Sequence, residues 1–214
     1  MIRLLLFDLD GTLADTRNDI AAAVNRTLAR ADLPALHNDI VLPFVGRGVT
    51  HLLRDCFSAA GGDALAGEAA VPIFREEYDT GLVRETVLYP DVRDTLEKLS
   101  RYDMAVVSNK PVSMSRRLLA ELGVAQFFPL ILGGDSLPEM KPSALPLQHA
   151  MREMGAEPGE TVMIGDSVYD LEAARAANTM AIAALYGFQD EAALRALRPD
   201  YAVRGFGELA SLLS

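Results

Sequence analysis

Two aspartates one residue apart, Asp8 and Asp10, follow the apolar residues Ile2, Leu4, Leu5 and Leu6 and precede Gly11-Thr12-Leu13. In an extended segment residues i and i+2 project to the same side, so both carboxylates can face one pocket while Leu9 points away. Gly11 permits a turn that most side chains would obstruct. Two like charges this close repel each other and lose hydration, so the pair calls for a cation or a proton between them. Aspartate can serve as a nucleophile that takes up a phosphoryl group, dividing one hard hydrolysis into two displacements. Taken alone, Asp-x-Asp-Gly reads more readily as a strand-end turn with solvated acids.

Three later segments also close an apolar run with a residue suited to phosphate chemistry. They are Ala105-Val106-Val107-Ser108-Asn109, the Lys141-Pro142 pair after Leu130-Ile131-Leu132-Gly133-Gly134-Asp135, and Val162-Met163-Ile164-Gly165-Asp166-Ser167-Val168-Tyr169-Asp170. Individually, Ser108 reads as a turn or cap residue and Lys141-Pro142 as a loop dipeptide. Asp166 and Asp170 read as cap and helix residues. The order of all four after strand-like runs is what points to one site.

The elements that would position these groups alternate regularly from Tyr89-Pro90 onward, the signature of a parallel sheet covered on both faces. A helix over Asp91 to Ser100 precedes a strand from Met104 to Ser108, and Ser113 is the expected cap of a helix running to Leu122. Strands follow around Leu130 to Leu132, Thr161 to Ile164 and Met180 to Ala184. Helices are expected over Ala144 to Met154 and through Leu171, Ala174 and Ala177. A last short unit comprises Tyr201 to Val203 and a helix around Leu209 to Leu213. Near the start, Asp15 or Thr16 can cap a helix with Ile20, Ala23, Val24, Thr27, Leu28 and Ala31 at helical spacing. From Asn38 to Leu82 no strand pattern occurs, and a third helix there holds Leu65, Ala69, Ile73, Phe74 and Tyr78.

The expected fold is α/β: a doubly wound, Rossmann-like parallel sheet of order 3-2-1-4-5 with an inserted helical cap domain. Residues 1–16 and 84–214 form the core and 17–83 the insertion. Such sheets bind ligands beyond the carboxyl ends of their strands, which would gather Asp8, Ser108, Lys141 and Asp166 at one edge.

The 214 residues are half apolar and sum to a formal charge of -10. That charge argues against nucleic acid or an anionic membrane as partner, and an anionic substrate would need local cations. Cys56 is the single cysteine, so no internal disulfide forms, and its neighbours Leu52, Leu53 and Phe57 favour a buried thiol. No stretch approaches a membrane span, and a cytoplasmic monomer or homodimer is expected. His37, His51 and His149 lack ligand spacing.

With the four segments in this order, the sequence resembles the haloacid dehalogenase-like phosphohydrolase superfamily over nearly the whole chain, most closely its phosphoglycolate phosphatase group. The narrower likeness rests on Asp-Gly-Thr-Leu followed by Asp15-Thr16, on Val45-Gly46-Arg47-Gly48, on Tyr89-Pro90, on Ser108-Asn109-Lys110-Pro111, and on Gly134-Asp135 ahead of Lys141-Pro142. The resemblance implies an Mg²⁺-dependent phosphomonoesterase acting through an aspartyl-phosphate at Asp8, with Asp10 as general acid and base. Mg²⁺ would be held by Asp8, the Asp10 carbonyl and Asp166, with Asp170 ligating it directly or supporting a ligand. Ser108, Asn109 and Thr12 would bind the phosphoryl oxygens, and Lys141 would pair with both Asp8 and the transferring group. Lys110 would raise the local potential. Arg47 in the cap is the candidate for a substrate carboxylate, which guanidinium grips in a planar fork. Met140 stands where relatives often carry a second lysine, and Ser143-Ala144-Leu145-Pro146 replaces a proline-acid-proline run.

The expected substrate is a small phosphorylated metabolite, 2-phosphoglycolate first. A sugar-phosphate phosphatase, a pyrophosphatase and a β-phosphoglucomutase-like phosphomutase are alternatives, and a catalytically silent binding module is a more distant one.

Overall fold

Leu4, Leu5, Leu6 and Phe7 form a strand with no solvent-accessible surface, as befits a segment covered on both faces of a parallel sheet. In the computed structural model, which describes residues 1–214, the strands in chain order are β1 (Leu4–Phe7), β2 (Ala14–Asp15), β3 (Val87–Leu88), β4 (Asp103–Val107), β5 (Leu130–Leu132), β6 (Thr161–Gly165), β7 (Met180–Ala184) and β8 (Tyr201–Val203). Six of them make one parallel sheet in the order β5-β4-β1-β6-β7-β8. The first strand therefore lies between β4 and β6, and Tyr201–Val203 adds an outer strand to the five expected. Phe7 is in register with Val106 on one side and Ile164 on the other. Asp8 is thus level with Val107 and Gly165, and the strand ends bearing Asp8, Ser108 and Asp166 meet at one edge.

The chain forms two units, Met1–Asp15 with Leu88–Ser214, and Thr16–Val87. Within the first, Phe7 packs edge-on against Phe128 and tilted against Phe206, at centroid distances of 6.0 and 5.8 Å. On the other side of the sheet Leu4, Leu6, Ala105, Met163 and Ala183 pack with Leu147, Leu171 and Ala174 from the helices Leu145–Met154 and Val168–Ala177. The helix Val112–Glu121 is not capped by Ser113. Its cap residue is Pro111, and Asp135 accepts the Val112 N–H at 2.8 Å, meeting from another loop one of the donors a helix start leaves open.

The second unit is helical, built on Arg17–Ala29, Val49–Ala59, Ala64–Ala69 and Val71–Asp79. The single helix expected through Leu65 and Tyr78 is two, broken at Ala70. Pro72 sits in the first turn of the second helix, where its missing N–H costs nothing, but it could not continue the first. Leu65 is exposed rather than packed. Cys56 is fully buried, and burial, with Asp55 nearby, pushes its thiol up to about 12, so it is inert at neutral pH. Thr16 precedes the first helix without a side-chain capping bond.

Asp19 sets this unit's far boundary. Its Oδ2 accepts from the amides of Arg84, Glu85 and Thr86 and from the Thr86 hydroxyl, at 2.7 to 3.1 Å. Residues 84–86, assigned to the core from the pattern alone, are held to the first helix in this way and belong with it.

Candidate active site

Lys141 is the centre of the strand-end cluster. Its side chain is buried, and Nζ lies 3.0 Å from Asp8 Oδ1 and 2.6 Å from Asp170 Oδ1 while donating to the Val107 carbonyl at 2.5 Å. Burial by itself would lower the ammonium's pKa. Asp170 and Asp8 outweigh that and hold it above its ordinary value. Asp8 Oδ1 makes no hydrogen bond, so its contact with Lys141 is an ion pair outside hydrogen-bonding alignment. Asp8 is otherwise fixed by its amide, which donates to the Ile164 carbonyl at 2.9 Å.

Asp170 is turned inward by the helix it helps to start. Ser167 and Asp170 form a reciprocal capping pair, with the Ser167 amide and hydroxyl donating to Asp170 Oδ2 at 3.0 and 2.5 Å. One of its oxygens therefore serves the cap and the other Lys141. Burial, then the charge of Asp8, raises this carboxyl to about 6 against the opposing pull of Lys141 and Ser167. The geometry makes Asp170 an anchor for Lys141. No residue but glycine fits at 165, where a Cβ would lie 2.2 Å from Asp170 Cγ.

Asp166 is held from two sides. The Thr12 hydroxyl donates to Oδ1 at 3.1 Å and the Phe188 amide to Oδ2 at 2.7 Å. A Cβ on Gly11 would come within 2.1 Å of Oδ2, and one on Gly187 within 2.2 Å of the Asp166 Cβ. Gly11 also takes φ 87°, a region open to glycine. Burial first, then Asp8 and Asp170, push the Asp166 carboxyl well above its ordinary range. The loop after β7 tightens this further. Tyr186 donates to the Thr12 carbonyl at 2.9 Å and stacks edge-on with Tyr89 at 4.9 Å, and the Val168 amide donates to Gln189 Oε1 at 2.9 Å. Residues 186–189 were not expected from the sequence; Tyr186 and Gln189 act through their side chains, Phe188 through its amide and Gly187 through its bare Cα. The signal available was another glycine, Gly187, three residues after the end of an apolar strand.

Asp10 is paired with Lys110, whose Nζ lies 3.0 and 3.1 Å from its two oxygens. Ser108 follows β4 at the same sheet edge; its amide donates to Leu132 O and its hydroxyl accepts from the Lys110 amide. Asn109 is turned onto Lys141: its side chain donates to the Lys141 carbonyl at 2.8 Å and accepts from the Lys141 amide at 3.0 Å. Thr12 is completely buried with its hydroxyl on Asp166. Both residues were expected to bind phosphoryl oxygens, and in the structure their polar groups align Lys141 and Asp166. Arg47 is an exposed residue of the helical unit, between Gly46 at φ 114° and Gly48 at φ 82°.

Asp8, Asp166 and Asp170 each place a ligand oxygen within 4.8 Å of the others'. Of these three buried carboxylates, two contact the single ammonium of Lys141, and Asp8 Oδ1 has no hydrogen-bond donor. That donor set, all hard oxygen with surplus negative charge, fits a small divalent cation.

The sequence profile of the haloacid dehalogenase-like hydrolases matches residues 5–184, and the chain belongs to that family. Phosphoglycolate phosphatases are among its similar relatives: one from Chromobacterium violaceum is 38% identical over 217 residues, covering 99% of this chain and 96% of that one. Another, from Aquifex aeolicus, is 36% identical over 214 residues, covering 99% and 97%. A crystal structure of a predicted phosphoglycolate phosphatase from Haemophilus somnus superposes with a TM-score of 0.93 at 29% identity, covering 100% and 98% of the two chains. A haloacid dehalogenase-like hydrolase from Streptococcus pneumoniae does so at 0.89 and 28% identity, covering 100% and 99%.

Proposed function

We propose that this protein is an Mg²⁺-dependent phosphomonoesterase that hydrolyses a small phosphorylated metabolite, with 2-phosphoglycolate the preferred substrate. The observation that carries the reading is Lys141, a buried ammonium in contact with Asp8 and bonded to Asp170, beside Asp166 and at the end of the strand that delivers Asp8 and Asp10.

The Asp8 carboxylate attacks phosphorus, and the bond from phosphorus to the ester oxygen breaks as Asp10 gives that oxygen a proton. Water then attacks the phosphorus of the aspartyl-phosphate while Asp10 takes its proton, and the bond to Asp8 breaks to release phosphate. Lys141 offsets the charge of the nucleophile, and Ser108 with its following amides stands where phosphoryl oxygens need donors. Asp8, the Asp10 carbonyl and Asp166 would hold Mg²⁺, which supplies charge neutralisation for the anionic reactants. Asp170 acts through Lys141. The helical unit, residues 16–87, is assigned the role of a cap that carries substrate-reading groups, with Arg47 the candidate for the far end.

Substrate choice is supported by the named activity of the relatives and the cation content of the site. No helix is long and apolar enough to cross a membrane, and the charge of -10 disfavours nucleic acid. A cytoplasmic location accords with both. The test is phosphate release with Mg²⁺ from 2-phosphoglycolate, sugar phosphates and pyrophosphate. The reading expects the highest kcat/KM for 2-phosphoglycolate, and an equal or higher value for the others would overturn that assignment.

A further inference from the structure

The α/β unit buries two ammonium groups at the strand ends, and the steps above use only one of them. Lys141 is committed to Asp8 and Asp170, the nucleophile's side. Lys110 lies on the other side, against both oxygens of Asp10, with a side chain only 5% exposed. Its backbone is fixed as well: its amide donates to Ser108 Oγ at 3.3 Å and its carbonyl accepts from Gly134 at 3.0 Å. A Cβ on Gly133 would come within 2.6 Å of that carbonyl, so the loop holding Lys110 is closely fitted. This is a built-in cation, unlike a lysine left in solvent.

Its position relative to the reaction follows from Asp10. A general acid must touch the ester oxygen it protonates, at about 2.7 Å. A cation in contact with Asp10 therefore borders the leaving group. In a phosphate ester of a 2-hydroxy acid, one carbon separates the ester oxygen from the carboxylate, and a carboxylate oxygen lies roughly 3 Å from the ester oxygen by ordinary bond lengths. One ammonium can then touch both Asp10 and that carboxylate, each at about 2.8 Å. An acid group further along a chain falls outside this reach, and a neutral alkyl tail has nothing to offer the charge.

We propose that Lys110 is a specificity-determining residue that binds the carboxylate of a 2-phosphoxy acid, so that the substrate class is set partly inside the α/β unit beside the general acid. This rests on the phosphatase reading and deepens it. It also gives the leaving-group side its own counter-charge: with the substrate bound, Lys110 faces Asp10 and the tail carboxylate together.

The test compares 2-phosphoglycolate with ethyl phosphate, which has the same two-carbon frame and no tail charge, in wild type, Lys110→Met and Lys110→Arg with Mg²⁺. Losing a charge-assisted contact costs about tenfold to a hundredfold. Lys110→Met is expected to lower kcat/KM for 2-phosphoglycolate by that factor beyond any loss on ethyl phosphate, and Lys110→Arg to restore part of the difference. Loss through Asp10 alone would strike both esters alike, so an unchanged ratio overturns the assignment while the phosphatase reading stands. A wild type that hydrolyses other phosphates but shows no preference for 2-phosphoglycolate over ethyl phosphate removes the narrower substrate claim and the inference with it. Lys110→Gln, which keeps donors without charge, replaces Lys110→Met should the latter lack a cooperative melt.

Discussion

Asp19 and Asp166 are both buried acids that accept backbone N–H groups, one in the helical unit and one in the α/β unit, yet their surroundings differ in kind. Asp19 is satisfied several times over, by three successive amides and a hydroxyl. Asp166 receives one donor on each oxygen and has Asp8 and Asp170 as neighbours, with Asp8 Oδ1 left without a hydrogen bond. A carboxylate that stabilises a fold is given donors until its charge is spread. Carboxylates that serve chemistry are kept short of donors and close to like charges, which lowers stability until a ligand arrives.

The comparison is broken most severely at the nucleophile. Asp8→Asn should reduce phosphate release at least about 10⁴-fold, the scale of removing a nucleophile, yet raise the melting temperature of Mg²⁺-free protein by relieving repulsion. A lowered melting point would contradict the account of a strained acid cluster. Lys141→Ala should cost about 10²-fold or more in turnover and, unlike Asp8→Asn, destabilise the fold, because it leaves buried carboxylates without their cation. Near-normal kcat would remove Lys141 from its role.

On the other side of the comparison, Asp19→Ala strands the buried Thr86 amide and hydroxyl and frees the Arg84 and Glu85 amides, and should destabilise by about 3 kcal/mol, which is roughly 6–12 °C for a chain of this size. Thermal melting checks this; a change within about 1 °C would show that the 84–86 segment does not depend on Asp19.

Magnesium sharpens the distinction through pH. The Asp166 and Asp170 carboxyls are raised in the folded chain, so they bind protons more tightly folded than unfolded. They therefore favour the metal-free fold at acidic pH and withdraw that support as pH rises from the ordinary carboxylate range through about 6 for Asp170. Of the two, Asp166 is the one that would hold Mg²⁺, which needs its oxygens deprotonated, so the melting-temperature gain from added Mg²⁺ should be larger near pH 7.5 than near pH 5. At a hundredfold excess over Kd the full gain is about 2.7 kcal/mol. Equal gains at the two pH values would place the ion elsewhere.

Much of this arrangement was legible in the chain. Runs of buried apolar residues ending in Asp8, Ser108 and Asp166 locate strand ends, and the period-2 rule puts Asp8 and Asp10 on one side with Leu9 buried between them. What escaped is carried by groups without a residue-type signature. The Phe188 amide, the bare Cα of Gly187 and the three amides on Asp19 are main-chain features, and any sequence supplies such donors everywhere. Asn109 and Thr12 were legible as polar strand-end residues, but which way a side chain turns is settled by tertiary neighbours. The break at Ala70 was written in Pro72 and overruled by an apolar spacing that suited one longer helix.

Asn109 grips the main chain on both edges of Lys141 and is the covalent neighbour of Lys110. The two ammonium groups are thereby parts of a single rigid fitting. Anyone retargeting the enzyme has two adjacent positions with opposite tolerances: residue 110 is a dial that can be turned, while residue 109 is the bolt that keeps the dial mounted. A library that randomises both will read as intolerance at 110 what is really the loosening of Lys141.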